Sequence, residues 1–398
     1  MPAVSVIVPV YNVEDCLPQC MDSIRCQTLE DIEIVCVVDG STDASEQILR
    51  LYERVEPRLR IICKENGGLS SARNAGIDAA KAPILMFVDS DDAIVPDACM
   101  IVLAAFEALD IEMLTFGAIC EPDFEANDWE RRVLSPRSAY YGMFDSDVMF
   151  KEQSHPYVWR TAVRRELLDR EGIRFDETRR FGEDEIFHFE AYPKSRGIAF
   201  IPDKLYKYRM ARPNSLMATR GSDRKLLCAE HLAIAERICA AWQRYGLIEP
   251  NGTAMMEWAA EFVVYHCMTL PNAGWKEFNE QIQSLFRTYF KPDYAYGMKF
   301  GPPLQELCAT LARGASLDRI EELRVAYLTF NRYCDEEGES WLPLPNKMLA
   351  AVRAPAGKAR RRKNQALKAE MRKEWDAADR RARLRSLEQL RREVTERG

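Results

Sequence analysis

Two periods of apolar residues alternate along the first 120 positions. Val4–Val10 ("VSVIVPV"), Ile32–Val38, Leu59–Cys63, Pro83–Val88 and Ile111–Gly117 are short runs rich in β-branched residues, the composition of strands buried on both faces. Between them, "EDCLPQCMDSIRCQ", "ASEQILRLYERV", "LSSARNAGIDAAK" and "PDACMIVLAAFEAL" carry apolar residues at three- and four-residue spacings, which predicts helices. Strand and helix recur at intervals of about 25 residues, which implies right-handed crossovers and a mostly parallel sheet. Ligands of such sheets sit beyond the carboxyl ends of the strands.

The alternation fades after residue 120. Residues 121–220 mix aromatic and charged patches ("SPRSAYYGMF", "YVWRTAVRRELL") with a short amphipathic stretch, "GEDEIFHFEAY", and a strand-like run over Gly197–Met210. This stretch is expected to complete the sheet and build the second wall of a cleft. Residues 222 to about 345 are helical by pattern, with turns at Pro250-Asn251, Pro271-Asn272 and "FGPP". Beyond Pro355 runs one polar helical candidate whose sparse apolar positions are Leu367, Met371, Trp375, Leu384, Leu387, Leu390 and Val394. No internal repeat is found. The domains expected are 1–220 (halves 1–115 and 116–220), a helical subdomain over 221–350, and a basic helical tail over 351–398.

Four strand ends carry the candidate chemistry. The first ends in Pro9, Val10, Tyr11 and Asn12. The second ends in "VVDGSTD", where Asp39 stands at the strand tip, Gly40 permits a tight turn, and Ser41, Thr42 and Asp43 offer caps to the next helix. "KENGGLSSARNAG" follows the third strand and sets Arg73 on the first turns of a helix. The fourth ends in "FVDSDD", where Asp89, Asp91 and Asp92 crowd around Ser90. By residue type alone this last feature is either a solvated turn or a metal site. Together the four ends suit a nucleotide diphosphate: a carboxylate for a base imide, a tyrosine ring for stacking, an arginine for phosphate and carboxylates for a divalent cation.

Composition narrows the alternatives. With 398 residues and 47% hydrophobic content the chain can bury a large core. No apolar run approaches the roughly 18 residues that a spanning helix needs, and no basic segment precedes the first apolar stretch, so a cytoplasmic location is expected. The 12 cysteines are scattered without a CxxC pair and are expected to be reduced core residues. The net charge of −7 conceals a basic end: residues 353–398 hold 16 Lys+Arg against 7 Asp+Glu. A self-associating helix, a contact with anionic lipid and nucleic-acid binding are the readings open to that tail, the last the least favoured. Neither a G-x-G-x-x-G after the first strand nor a P-loop motif is present, which argues against a dinucleotide dehydrogenase and a P-loop NTPase.

"VSVIVPVYNVEDCLPQCMDSI", "VVDGSTDAS", "ENGGLSSARNAG" and "FVDSDDAI", in this order, resemble the successive motifs of the family-2 inverting glycosyltransferases of bacterial surface polysaccharides. The likeness is close over residues 3 to about 110 and looser to about 220. It implies a GT-A fold, α/β and Rossmann-like, with a mostly parallel sheet flanked by helices, here followed by an all-helical C-terminal extension. It further implies a nucleotide-sugar donor, most often a UDP-sugar, Mn2+ or Mg2+, and a glycan or lipid-linked acceptor. Under the resemblance Pro9, Tyr11 and Asp39 serve the base, Arg73 lies near the nucleotide, and Asp89, Ser90 and Asp91 handle ribose, diphosphate and metal. Asp91 is the principal metal ligand expected, Asp89 acts on the ribose or the cation, and Asp92 is mainly structural.

An inverting reaction also needs a base, and "FGEDEIF" is similar to the family's acceptor-side motif, which makes Asp184 that base. Trp159 would form part of the acceptor wall, although Arg160 and Thr161 stand where relatives often carry Asn-Lys. Arg212 and Ser215 of "YRMARPNSLM" would close over the diphosphate as a lid. His155 and His188 could supply a third metal ligand but read more simply as structural. A homo-oligomer and a peripheral membrane contact through the tail fit this picture. The rival reading is a non-catalytic nucleotide-sugar-binding or scaffold protein that retains the fold.

Overall fold

The computed structural model describes residues 1–179, 181–210, 224–268, 270, 272–337 and 347–397. The chain forms two compact units, Met1–Ser215 with Glu370–Gly398, and Leu216–Ala369. The last stretch thus joins the first unit, whereas the sequence pattern sets 351–398 apart as a tail.

The first unit is built on strands β1 (Val4–Val10), β2 (Ile32–Asp39), β3 (Leu59–Lys64), β4 (Ile84–Phe87), β5 (Ala93–Ile94), β6 (Met113–Glu121), β7 (Ala139–Tyr141), β8 (Thr161–Arg164) and β9 (Ile198–Arg209). They make one sheet in the order β3-β2-β1-β4-β8-β6-β9-β5, with β7 on β9. β1 runs parallel to β2 and β4, and β2 to β3. Every residue of β1 and β2 is buried, the reason these two strands read as unbroken apolar runs. Their crossovers are the helices α1 (Leu17–Arg25), α2 (Ser45–Glu53) and α3 (Leu69–Ala79).

The second half of the sheet is mixed. β8 pairs antiparallel with both β4 and β6, while β6 runs parallel to β9 with an irregularity between Thr115 and Ala118. That pairing carries β6 on to Glu121, four residues past the apolar run in the sequence, because its partner lies some 90 residues away and leaves no local signal. Helices α4 (Ala98–Ala108), α5 (Asp128–Val133), α6 (Asp147–Phe150), α7 (Arg165–Glu171) and α8 (Glu183–Lys194) complete this unit together with the distal part of the C-terminal helix, Lys347–Arg397. On that helix Leu390 is only 1% exposed, and Leu387 and Val394 pack against the same core as β1 and α1. Three of the seven sparse apolar residues of the tail are therefore spent on the protein itself, while Leu367, Met371 and Leu384 stay exposed.

The second unit is helical, as the periodicity of 222–345 suggests: Arg224–Arg244, Gly252–Ala259, Tyr265–Met268, Asn272–Tyr289, Pro302–Arg313 and Leu317–Glu337. Trp242, Trp275, Ile282, Phe286 and Leu307 fill its core. Among the described residues no helix is long and apolar enough to cross a membrane, and the eleven cysteines whose side chains are described are free thiols, most of them buried.

Candidate functional site

The ends of β1 and β2 are stitched together. Asn12 Oδ1 accepts from the Thr42 amide (2.8 Å), the Val13 amide donates to Ser45 Oγ (3.0 Å), and the Glu14 amide donates to Asp43 Oδ2 (2.9 Å). Ser41 and Asp43 thus serve the neighbouring loop. Of the helix-capping roles expected from "DGSTD", only the bond from the Ser45 amide to Asp43 Oδ1 is made. Pro9 sits in register with Val37, and the next side chain but one, Tyr11, is half exposed beyond the strand end.

Asp39 lies at the tip of β2, buried, and its carboxylate is held by donors. Lys64 Nζ (2.7 Å) and the Gly67 amide (2.9 Å) reach Oδ1, and the Gly68 amide (2.8 Å) reaches Oδ2. These bonds shape the Asn66-Gly67-Gly68 loop around the carboxylate. Gly40 is required next to it: its φ is +69°, and a Cβ there would lie 2.8 Å from the Asn66 amide nitrogen.

The "DSDD" turn follows β4 and is closed by the Asp92 amide donating to the Asp89 carbonyl (3.0 Å). β9 clamps it from the side. Tyr206 Oη donates to Asp92 Oδ2 (2.8 Å) and accepts from the Asp89 amide (3.0 Å), while Arg209 gives its amide to Asp92 Oδ1 (2.7 Å) and its Nε to the Asp91 carbonyl (2.8 Å). Asp92 is buried, and burial together with Asp91 and Asp89 drives its carboxyl well above the usual carboxylate range. Ser90 is buried as well. Asp89 and Asp91 are thus held on a turn whose third acid is an internal anchor.

Arg73 joins this turn to the opposite wall. Its side chain is 1% exposed, and it pairs with Asp89 (Nη2···Oδ1 3.0 Å), Glu183 (Nη1···Oε1 2.8 Å) and Asp184 (Nη1···Oδ1 2.9 Å), its guanidinium lying over the Phe175 ring. The family resemblance sets Arg73 beside a nucleotide; here its fork is occupied by three carboxylates from two places in the chain, the turn after β4 and the start of α8. Glu183, Asp184 and Glu185 stand in the first turn of α8, where the helix dipole favours acid. Gly182 precedes them at φ +72°, which lets the chain turn into the helix. Three carboxylates around one cation leave negative charge in excess. Burial first, then Asp184, pushes the Glu183 carboxyl up to about 7 against the pull of Arg73, and burial raises Asp89 as well.

The second oxygen of Asp184 accepts from the Val158 amide (3.1 Å). That amide follows Tyr157, a non-glycine residue at φ +66°, a backbone conformation uncommon for a bulky side chain. Tyr157 begins an aromatic stack: its ring lies 5.0 Å from that of Trp159, which lies 4.3 Å from Tyr206 and 5.1 Å from Tyr208. Trp159, assigned from the sequence to the acceptor wall, is itself buried, and the exposed ring of the group is Trp129, 6.2 Å from Tyr157.

Arg160 departs from the family pattern for a reason visible here. It is fully buried and donates to the carbonyls of Pro156 (3.1 Å), Val133 and Gln153, so it ties together the loop around Tyr157. Burial lowers its guanidinium to about 10. His188 is buried between the His155 carbonyl (2.7 Å) and Thr161 Oγ1 (3.1 Å), with its imidazole pulled down to about 4 by burial. His155 bonds to Glu185 (3.0 Å). Both histidines are thus engaged by partners within the protein. Arg212 and Ser215 lie outside the described residues. Tyr206 and Arg209 went unseen in the sequence because "KLYKYR" reads only as an alternating strand; their facing of the "DSDD" turn is set by register with β5 and β6.

Among the described residues no group of three or more metal-ligating side chains gathers. One or two carboxylates of a turn, with the remaining positions left to substrate oxygens and water, nevertheless suit Mg2+ or Mn2+, which rarely take an all-protein cage. Asp89 and Asp91 offer that donor set.

The model for "Glycosyl transferase family 2" matches residues 5–172. The chain is 30% identical over 225 residues to "Glycosyltransferase GlyG" of Streptococcus pneumoniae, a match covering 54% of this chain and 73% of GlyG. The chain belongs to glycosyl transferase family 2. It is also 36% identical over 223 residues to "Uncharacterized glycosyltransferase EpsJ" of Bacillus subtilis, but that match spans 54% of this chain and only 63% of EpsJ, under two thirds of that relative's length. In fold it resembles S. aureus TarS 1-349, solved in complex with UDP-GlcNAc, with a TM-score of 0.68 over 83% of this chain and 92% of that one at 19% identity. This likeness places the chain in the GT-A fold.

Proposed function

We propose that this family 2 protein transfers a sugar from a UDP-sugar to a hydroxyl of a glycan or lipid-linked acceptor, with inversion and with a divalent cation. The observation that carries the proposal is the Arg73 guanidinium, which holds Asp89 of the donor turn and Asp184 of the facing helix within 3.0 Å of its nitrogens. A base for the acceptor and a diphosphate site must lie this close for one displacement to use both. The UDP-GlcNAc bound by TarS supports the choice of donor.

On this reading Tyr11 stacks on the base and Asp39, with an oxygen lone pair still unused beyond its three donors, accepts from the base imide. Asp89 and Asp91 would hold Mn2+ or Mg2+, which when bound neutralises charge developing on the diphosphate. Asp184, fixed by Arg73 and the Val158 amide, takes the proton of the acceptor hydroxyl as that oxygen bonds to the anomeric carbon. The bond from that carbon to the diphosphate breaks on the far side, and UDP leaves with the electron pair. The reaction is placed in the cytoplasm, at the inner membrane face where the basic tail meets anionic lipid. A panel of UDP-sugars with Mn2+, followed by UDP release in the presence of mixed glycan acceptors, tests the reading. UDP binding without turnover in every mixture would place the chain among non-catalytic sugar-nucleotide binders.

A further inference from the structure

The distal part of the C-terminal helix reaches the turn that bears Asp89 and Asp91. Arg209, whose Nε holds the Asp91 carbonyl, gives Nη1 to Asp379 Oδ1 (2.5 Å) and Nη2 to Gln19 Oε1 (2.5 Å). Trp375 covers the same guanidinium at 5.6 Å, and Arg383 pairs with the other oxygen of Asp379 (3.1 Å). The Arg209 and Asp379 side chains are 12% and 9% exposed, so this pair is largely shielded from water. Two of the groups that fix the arginine therefore come from the last thirty residues of the chain. The helix is anchored independently of this contact, by Leu390 in the core and by Glu393 on Arg25 (2.8 Å).

We infer that Asp379 is a positioning residue for the donor site, fixing the Arg209 fork so that Arg209 in turn fixes the backbone of Asp91 and the direction of its carboxylate. A planar guanidinium donates along set directions, so removing one acceptor frees it to turn away from the others. Cation sites held by one or two carboxylates depend on such supporting bonds. The basic helix would then serve the reaction as well as any surface it meets, and the inference rests on the metal-dependent reading above.

The test is UDP affinity of the full chain by calorimetry, with Mn2+ and with EDTA. In Asp379→Ala, which removes the acceptor, the gain in affinity on adding Mn2+ should shrink roughly 2- to 150-fold, the range of coupling between groups in one hydrogen-bond network. UDP affinity in EDTA should stay at the wild-type level, because Tyr11 and Asp39 are untouched. Hydrogen exchange in the metal-free protein should accelerate across residues 88–93. Leu390→Ala should lower thermal stability and leave the Mn2+ gain unchanged, which separates positioning from a mere loss of packing. A full Mn2+ gain in Asp379→Ala, or an equal loss in Leu390→Ala, would overturn the positioning role alone. Absence of any Mn2+ gain in the wild type would overturn the metal reading and this inference with it.

Discussion

Arg73 and Asp184 meet at 2.9 Å, one from the helix after β3 and the other from the helix before β9, and this pair closes the sheet's two halves around one point. The arginine is buried with three carboxylates on it. Arg73→Met should therefore leave uncompensated buried charge and destabilise the fold by about 3–5 kcal/mol. Chemical denaturation measures this. Arg73→Lys should restore little, since a single ammonium cannot span three acids as the fork does.

The same cluster sets a pH dependence. Glu183 is pushed up to about 7 in the fold, above its ordinary value, so its contribution to stability is full below the unfolded carboxylate range and is lost as pH rises through about 7. Melting temperature should fall from pH 5.5 to pH 8. Glu183→Gln should flatten that slope but not abolish it, because Asp89 and Asp92 are raised in the same direction.

Arg160 illustrates what the sequence could not say. It stands after Trp159 where relatives often carry Asn-Lys, with no role legible from the sequence, and it is buried on the carbonyls of Val133, Gln153 and Pro156. Arg160→Met should cost about 3 kcal/mol of stability through those unpaired carbonyls, while UDP affinity stays within twofold of wild type. A Trp159-side role in acceptor choice would show the opposite pattern.

Tyr206→Phe removes one hydroxyl that serves both ends of the "DSDD" turn. A loss of about 1–3 kcal/mol is expected, with Asp92 left as a buried acid short of a donor. The Mn2+-dependent part of UDP binding should weaken in parallel.

Much of this site was legible in the chain because parallel strands put their ends on one edge. Tyr11, Asp39 and Asp89 could each be located by counting from an apolar run, and the helix start at Glu183 showed in its acids. The partners were not legible. Arg73 meets Asp184 across 111 residues, Tyr206 meets Asp92 across 114, and Arg209 meets Asp379 across 170. Such pairs depend on strand register and helix docking, which leave no periodic trace. The tail misleads for the same reason: Leu387, Leu390 and Val394 look like a sparse surface stripe until the core they cover is present.

The base is the claim on which the rest depends, and Asp184→Asn tests it with little change of shape. Wild type and variant should be compared for UDP binding with Mn2+ and for transfer from the UDP-sugar that the wild type uses. UDP affinity should remain within a few-fold, while the transfer rate should drop by roughly 10²–10⁴. Transfer by Asp184→Asn at a rate near that of the wild type would contradict the assignment.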